Sequence, residues 1–567
     1  MTRPALPAAI SLCLIASCAG TGGYEDAFPH ALEVAALLAE GAIDVPPIGA
    51  YAWPVSGASP EAQAWFDQGV RYIHGFNQDQ AAACFARAAL ASPACPMAWW
   101  GISHTFAVDI NNQGVPEHEA VWALVASREA ERIAHLSTPL EQSLIAAAAT
   151  RAVVPVPGPT KRSHLDLAYS TAMGEVWKTA PSNPDVGALY AESLMLLQPW
   201  AYWTLDFEPL ERAEEIVALL EHCMKLNQNH PLANHLYIHM VESSGNPARG
   251  IPSADRLGEL MPGSGHLVHM PSHIYVNVGR YEDAIRVNER AVELDRAYFA
   301  QYKKPTFYLH YFAHNIMFTA FGAMMEGRRE LALSYADQLE ELSPDAVIEK
   351  FAPFIDGLNA IRLHVFVRFG MWEEILAFPE YAEFRKASRS IRHYARTVAL
   401  ANLGRTDAAR RELIQLDTAI AETPEDWTIA FNPSHTVLGL ARMVAEAEIC
   451  WREGDAAKAI AILHDTCSIE QQLVYTEPPP WMIPIRHALG AIQLASGDAL
   501  GAEASYEEDL SKHKENAWSL LGLHQTLTKL GKLNQAKALE SRLNEAWARA
   551  DIEPPASCYC GVPLNQQ

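Results

Sequence analysis

The stretch "GHLVHMPSHIYVNVGRYEDAI" at residues 265–285 joins two signals of different kinds. Its second half reads as a turn between two helices. Gly279 suits the left-handed conformation that closes a helix, and Ala284, five positions on, is small enough for a second helix to press against the first. Its first half packs His266, His269 and His273 into eight residues, more histidine than a packing element needs.

Working outward, the same G-x-x-x-x-A turn recurs as "GRRELA" at Gly327, "GRTDAA" at Gly404, "GDAAKA" at Gly454, "GDALGA" at Gly497 and "GKLNQA" at Gly531, with "GMWEEI" at Gly370 a weaker copy. Period-two alternation bounded by turns is almost absent, so the chain is predicted to be all-α with few strands. Gly370 to Gly404 and Gly497 to Gly531 are each 34 positions apart.

That spacing, with Tyr281, Ala284 and Ala291, resembles the tetratricopeptide repeat superfamily. The resemblance implies an α-solenoid, a right-handed superhelix of stacked helix-turn-helix repeats, in which the first helix of each pair lines the concave face. An earlier unit from Phe66 to Gly101 fits the same template, and the resemblance puts Trp99 and Trp100 in the core. "VPVPGP", between Val153 and Pro159, interrupts the helical pattern. The reading divides the chain into a signal at 1–17, a tether and N-terminal segment at 18–55, repeats at 56–152, a proline-rich break at 153–165, histidine-rich repeats at 166–345, further repeats at 346–550 and a tail at 551–567.

A net charge of -24 leaves no basic excess for phosphates, so no nucleic-acid partner is expected. The start, "MTRPALPAAISLCLIASCAG", carries Arg3, an apolar run and small residues before Cys18. This is the pattern of an export signal, and "IASC" resembles a lipobox that would place lipid on Cys18. The expectation is an exported protein of the bacterial cell envelope, facing the periplasm and meeting the membrane through its lipid anchor alone. Ala19 resembles outer-membrane sorting. An exported location permits disulfides: Cys84 with Cys95 is one candidate pair, and the exposed tail pair Cys558 and Cys560 would be either a disulfide or two soft metal ligands. Cys223, Cys450 and Cys467 read as buried free thiols.

Eight of the 22 histidines lie between His230 and His314. His235, His239 and Glu242 are spaced to share one helix face, as are His266, His269 and His273, and His310 and His314 follow on the next inner helix. Imidazoles at one-turn spacing chelate an ion, and neighbouring helices supply further ligands. The divalent or redox metal would be zinc, iron or copper, and so many histidines raise a dinuclear site. "HLYIH" lacks the glutamate of the zinc-protease H-E-x-x-H. Pro271 is the weak point, since it could start the helix and leave His266 and His269 in a loop.

A second cluster follows in "YTEPPPWMIPIRHALGAIQL". Three prolines would hold Glu477 and Trp481 beside Arg486 and His487. Arg486 and Trp481 are candidates for substrate binding, and Glu477, His487 and Glu242 for proton transfer. The structural alternative is a brace with an internal Glu–Arg pair. His74, His104, His364, His393 and His435 read as packing residues.

The combination of "NHLYIH", "GHLVHMPSHIY", "YFAHN" and "EPPPW" also resembles a group of exported bacterial tetratricopeptide proteins over residues 60 to 550, which bears on fold and not on chemistry. Three functions stay open. One is a metal-dependent hydrolase or oxidoreductase acting on a small molecule, another a scaffold holding a peptide or protein in the concave groove, and the third a metal carrier or buffer.

Overall fold

The computed structural model describes residues 29–43, 48–158, 161–303 and 306–562. The signal segment and Cys18 lie outside the described residues. The chain divides into two compact units, Met1–Val45 with Tyr51–Trp200, and Pro46–Ala50 with Ala201–Gln567.

Both units are built of antiparallel helix pairs, and the chain is an all-α protein of the α-solenoid class. Among the described residues, extended pairing is confined to the two-residue strands Thr428–Ile429 and Asn432–Pro433 and one bridge between Trp203 and Pro209. In the first unit, Pro60–His74 pairs with Gln78–Ala91, and Phe85 fills the space left by Gly69 and Gly101. Trp99 and Trp100 are buried there, on the helix Pro96–Thr105. The proline-rich run breaks the helical order between Pro139–Ala149 and Ser163–Thr179.

In the second unit the turn pattern holds at every copy. All seven glycines, from Gly279 to Gly531, have positive φ, and each is followed within two residues by a helix. The residue five positions on is buried each time: Ala284, Ala332, Ile375, Ala409, Ala459, Ala502 and Ala536. A left-handed residue closes one helix, and a buried residue, alanine at all but Ile375, sets how closely the next one returns.

The second unit also ties its end to its middle. Trp518 Nε1 donates to Met324 O at 2.7 Å, Arg549 pairs with Glu326 at 2.6 Å, and Asp551 accepts from the backbone N–H groups of Arg329 and Glu330. Trp547 covers the face of Gly327. A repeat array ordinarily touches only its neighbours, so these contacts are an addition to the repeat pattern.

Close helix approach has a measurable cost if filled. Gly490 and Gly522 face the buried ring of Tyr506 from two sides, and a Cβ at Gly522 would overlap it. Gly522→Ala is expected to destabilise the second unit by about 1–3 kcal/mol, read as a lowered urea midpoint.

Two expectations about cysteine are corrected. Cys84 and Cys95 form no disulfide: both are buried free thiols, with Cys95 Sγ 3.4 Å from Ser56 O. Cys558 and Cys560 are joined by a disulfide. The "CYC" tail is not exposed, since Cys560 lies within the apolar core of the C-terminal repeats. Cys223, Cys450 and Cys467 are buried and free.

Candidate metal centre

Three neighbouring segments of the second unit supply the histidines. Pro231–Val241 begins with proline at its first turn, capped by His230, and carries His235 and His239, with Glu242 next beyond its end. Gly265–His269 and Pro271–Asn277 carry His266, His269 and His273. Pro271 does start a helix, but Met270 keeps helical angles (φ −47°, ψ −38°), so His266 and His269 stay helical and face the same way as His273. Leu309–Met325 carries His314.

The rings gather into two triads. His235, His239 and His266 place one nitrogen each within 4.8 Å of one another, as do His269, His273 and His314. Within the first, His235 Nε2 is 3.1 Å from His239 Nε2 and 3.2 Å from His266 Nε2. Within the second, His269 Nε2 is 2.9 Å from His273 Nε2. The triads adjoin, with the ring centroids of His266 and His269 6.0 Å apart. His314 is half-buried and the other five are buried.

The backs of the rings decide the protonation. His239 Nδ1 faces Glu242 Oε1 at 3.2 Å, and His273 Nδ1 faces Glu477 Oε2 at 2.7 Å. His269 Nδ1 faces Asn288 Oδ1 at 2.6 Å, the Asn288 amide nitrogen being engaged with Ala284 O. Glu477 accepts from Tyr475 Oη and Asn277 Nδ2 at its other oxygen, a set of donors that suits an ionised carboxylate. An Nδ1 opposite an acceptor oxygen carries the proton, which leaves Nε2 with a bare lone pair. With Glu477 ionised, His269 and His273 aim two lone pairs at each other across 2.9 Å.

Such an arrangement needs a positive charge between the nitrogens. A proton fits poorly, because burial, helped by the neighbouring rings, holds His239, His266 and His269 well below the ordinary imidazole range, and His314 down at about 3. Burial lowers His273 too, with Glu242 pulling the other way. A divalent cation fits better. Nitrogens about 2.1 Å from a shared ion lie roughly 3.0–3.4 Å apart, close to the spacings here. Glu242 serves both triads, with Oε1 on His239 and Oε2 3.2 Å from His273 Nδ1 but not hydrogen-bonded to it. Burial pushes the carboxyls of both Glu242 and Glu477 upward.

The helix that bears His266 and His269 has a fixed seat. Gly265 abuts the carboxylate of Asp295, which accepts from Asn315 Nδ2 at 2.7 Å, and His266 N donates to Tyr308 Oη at 3.2 Å. Tyr311 covers His266, and Phe318 packs edge-on against His269, His273 and His314.

The other candidates fall outside this group. His310 is exposed and packs against Phe307 and Phe351, because one helical turn before His314 it has already left the buried part of its helix. The proline-rich cluster splits. Glu477 joins the histidines, whereas Trp481 packs on His364 and Tyr394, Arg486 pairs with Glu508, and His487 lies between Arg368 and Asp509. Arg486 and His487 open the helix Ile485–Ser496 and are drawn into its packing, and Arg486 pairs with Glu508 rather than with Glu477. Asn288, Asn277 and Tyr475 were not singled out by sequence reasoning. Asn288 and Asn277 are single polar residues on helices and carry no spacing signal, while Tyr475 stands two residues before Glu477.

No family model matches the sequence. Cellulose synthase operon protein C of Xanthomonas axonopodis pv. citri (strain 306) is 34% identical over 105 residues, which is 18% of this chain and 6% of that protein. The chain thus matches a small part of that relative's length. Among solved structures, the human IFIT1 dimer with m7Gppp-AAAA aligns at 12% identity and a TM-score of 0.31, covering 91% of this chain and 95% of that one. The Cut9–Hcn1 hetero-tetramer of APC/C aligns at 11% and 0.30, over 86% and 74%. The P58(IPK) TPR domain aligns at 11% and 0.23, over 84% and 99%. At these TM-scores no functional argument rests on the likeness, and what the chain shares with these proteins is reported as similarity alone.

Proposed function

We propose that the protein is a metalloprotein whose second unit binds two transition-metal ions, one on His235, His239 and His266 and one on His269, His273 and His314. The observation that carries this reading is the 2.9 Å approach of the Nε2 atoms of His269 and His273, whose Nδ1 atoms face Asn288 Oδ1 and Glu477 Oε2. All-imidazole triads favour zinc, copper or iron over calcium or magnesium, which take oxygen ligands.

Three nitrogens leave a coordination position open on each ion, the arrangement used to activate water or a small ligand. Burial of five of the six rings restricts that ligand to something small that enters beside His314. This supports the metal-dependent hydrolase or oxidoreductase reading on a small molecule, with Glu242 orienting His239 in one triad and Glu477 orienting His273 in the other. A groove-bound peptide would not reach the nitrogens. Export and lipid attachment at Cys18 belong to the same proposal, and the intact mass of the membrane-extracted protein tests them.

Elemental analysis of the purified protein is expected to find about two equivalents of zinc, copper or iron per chain. A protein isolated and reloaded with each ion that retains none of them sinks the reading. Glu242→Gln keeps the side-chain shape and removes the charge that orients His239. It is expected to weaken metal affinity by about 10–100-fold, measured by competition with a chelating dye.

A further inference from the structure

The tail, at residues 551–562, is fastened by its backbone across the C-terminal repeats. Arg368 donates to Ser557 O at 2.7 Å, Trp451 Nε1 to Cys560 O at 2.8 Å, and Arg452 to Cys560 O at 3.0 Å and Val562 O at 2.7 Å. This seats the two sulfurs against one carboxyl. A Glu448 oxygen and both Sγ atoms lie within 4.8 Å of one another. The two sulfurs are inequivalent: Cys558 is half-buried and accepts the Cys560 N–H at 3.1 Å, whereas Cys560 is 1% exposed.

We infer that Cys558, Cys560 and Glu448 form a thiol–disulfide exchange site, in which Cys558 meets an external thiol or disulfide and Glu448 carries the proton for Cys560. Glu448 is buried on the helix Ser434–Arg452 and accepts from Asn402 Nδ2 at 3.2 Å. The charged or titratable groups around it are Arg452 on its own helix, Tyr394 on Lys386–Asn402 and the cysteine pair. Burial raises its carboxyl to about 7, and Arg452 opposes that rise, so the group can hold or release a proton near neutrality.

The step balances with a dithiol as reductant. One thiolate of the dithiol attacks Cys558 Sγ, the Cys558–Cys560 bond breaks, and Cys560 leaves as a thiolate that takes the proton from Glu448. The second thiol of the reductant gives up its proton to solvent and attacks the mixed disulfide. Cys558 leaves as a thiolate held by the Cys560 N–H, and the reductant leaves as a disulfide. In reverse, the Cys558 thiolate attacks a substrate disulfide and expels one substrate sulfur as a thiolate. Glu448 then removes the proton of Cys560, which attacks Cys558 Sγ in the mixed disulfide and expels the second substrate sulfur as a thiolate.

The full-length protein, treated with dithiothreitol and then iodoacetamide, is expected to gain label at Cys558 and Cys560 at least about tenfold faster than at the five buried free cysteines among the described residues, read by peptide mass spectrometry. Glu448→Gln is expected to slow that reduction about tenfold and to leave only the rise with pH that follows the deprotonation of dithiothreitol itself. Cys560→Ser leaves Cys558 alone and is expected to release thionitrobenzoate promptly from dithiobis(nitrobenzoate), while Cys558→Ser does not. The inference is overturned if the tail cysteines label no faster than the buried thiols. It is equally overturned if Glu448→Gln leaves rate and pH profile unchanged, or if Cys560→Ser is inert toward the aromatic disulfide. Unchanged helical circular dichroism in each variant separates these results from loss of fold.

Discussion

His269→Ala with His273→Ala is expected to remove about one of two bound metal equivalents and leave the other, while His235→Ala with His239→Ala removes the complementary one. The separation follows from geometry, since each pair takes two of three nitrogens from a different triad. The two losses should not be equal in secondary effect. Removing His273 also strips the donor that faces Glu477 Oε2, and Tyr475 and Asn277 then hold a buried carboxylate with one oxygen unserved. Removing His239 is the more severe, since it takes the hydrogen-bond partner of Glu242 Oε1 while Oε2 has none. Leaving a buried charge short of partners costs several kcal/mol, so the His235/His239 variant should also melt lower than the His269/His273 variant. His364→Ala, which loses only a ring packed on Trp481, is expected to retain all metal. Elemental analysis with differential scanning calorimetry reads both effects. Loss of all metal in either double variant would show a single shared site.

The second large effect is on pH. In the metal-free protein five histidines, His239, His266, His269, His273 and His314, are held below the usual imidazole range. The unfolded chain takes up their protons at about pH 6.5 and the folded chain does not, so stability falls as pH drops below that value. Glu242 and Glu477 act in the opposite sense, because their carboxyls are raised and keep protons that the unfolded chain has lost above about pH 4.5. Below about pH 6.5 the five site histidines outnumber the two carboxyls, so the site's contribution to stability falls with pH. Above about pH 6.5 only the carboxyl contribution remains, and stability declines slowly as pH rises. The metal-free site is thus expected to contribute most to stability near about pH 6.5 and to lose that contribution as pH falls below it, read as a falling urea midpoint. Metal should abolish the alkaline decline, since two nearby dications keep both carboxylates ionised. Urea titrations across pH, with and without chelator, read these slopes. A flat profile in the chelated protein would exclude the burial of neutral histidines.

Much of this was legible in the sequence, for identifiable reasons. The turn glycines each impose a local conformation, and local conformation is written in local sequence, so the hairpins from Gly279 to Gly531 could be placed. The histidine faces could be read because helical spacing alone puts His235 with His239, and His269 with His273. Pro271 was undecided because proline starts a helix as readily as it ends one, and only the angles of Met270 show that the direction is kept. His310 satisfied the same spacing as His314 and still points to solvent, because spacing fixes a face and not the depth of burial along it. Glu477 was noticed for the wrong company. Its rigid proline-flanked setting was visible, but whether it met Arg486 or His273 depends on packing across 204 residues.

That separation has a consequence in time. Glu477 follows His273 by 204 residues, which at about 5–20 residues per second is roughly 10–40 s of synthesis. For the later part of that interval, once His314 has also been made, the growing chain has all six rings of the proposed site and lacks the carboxylate behind one of them. The contacts of Trp518, Arg549 and Asp551 with the region around Gly327 arrive later still. An ion that reaches the nascent chain early therefore meets a looser set of histidines than the finished protein offers, and the last repeats to be made determine when that set becomes rigid.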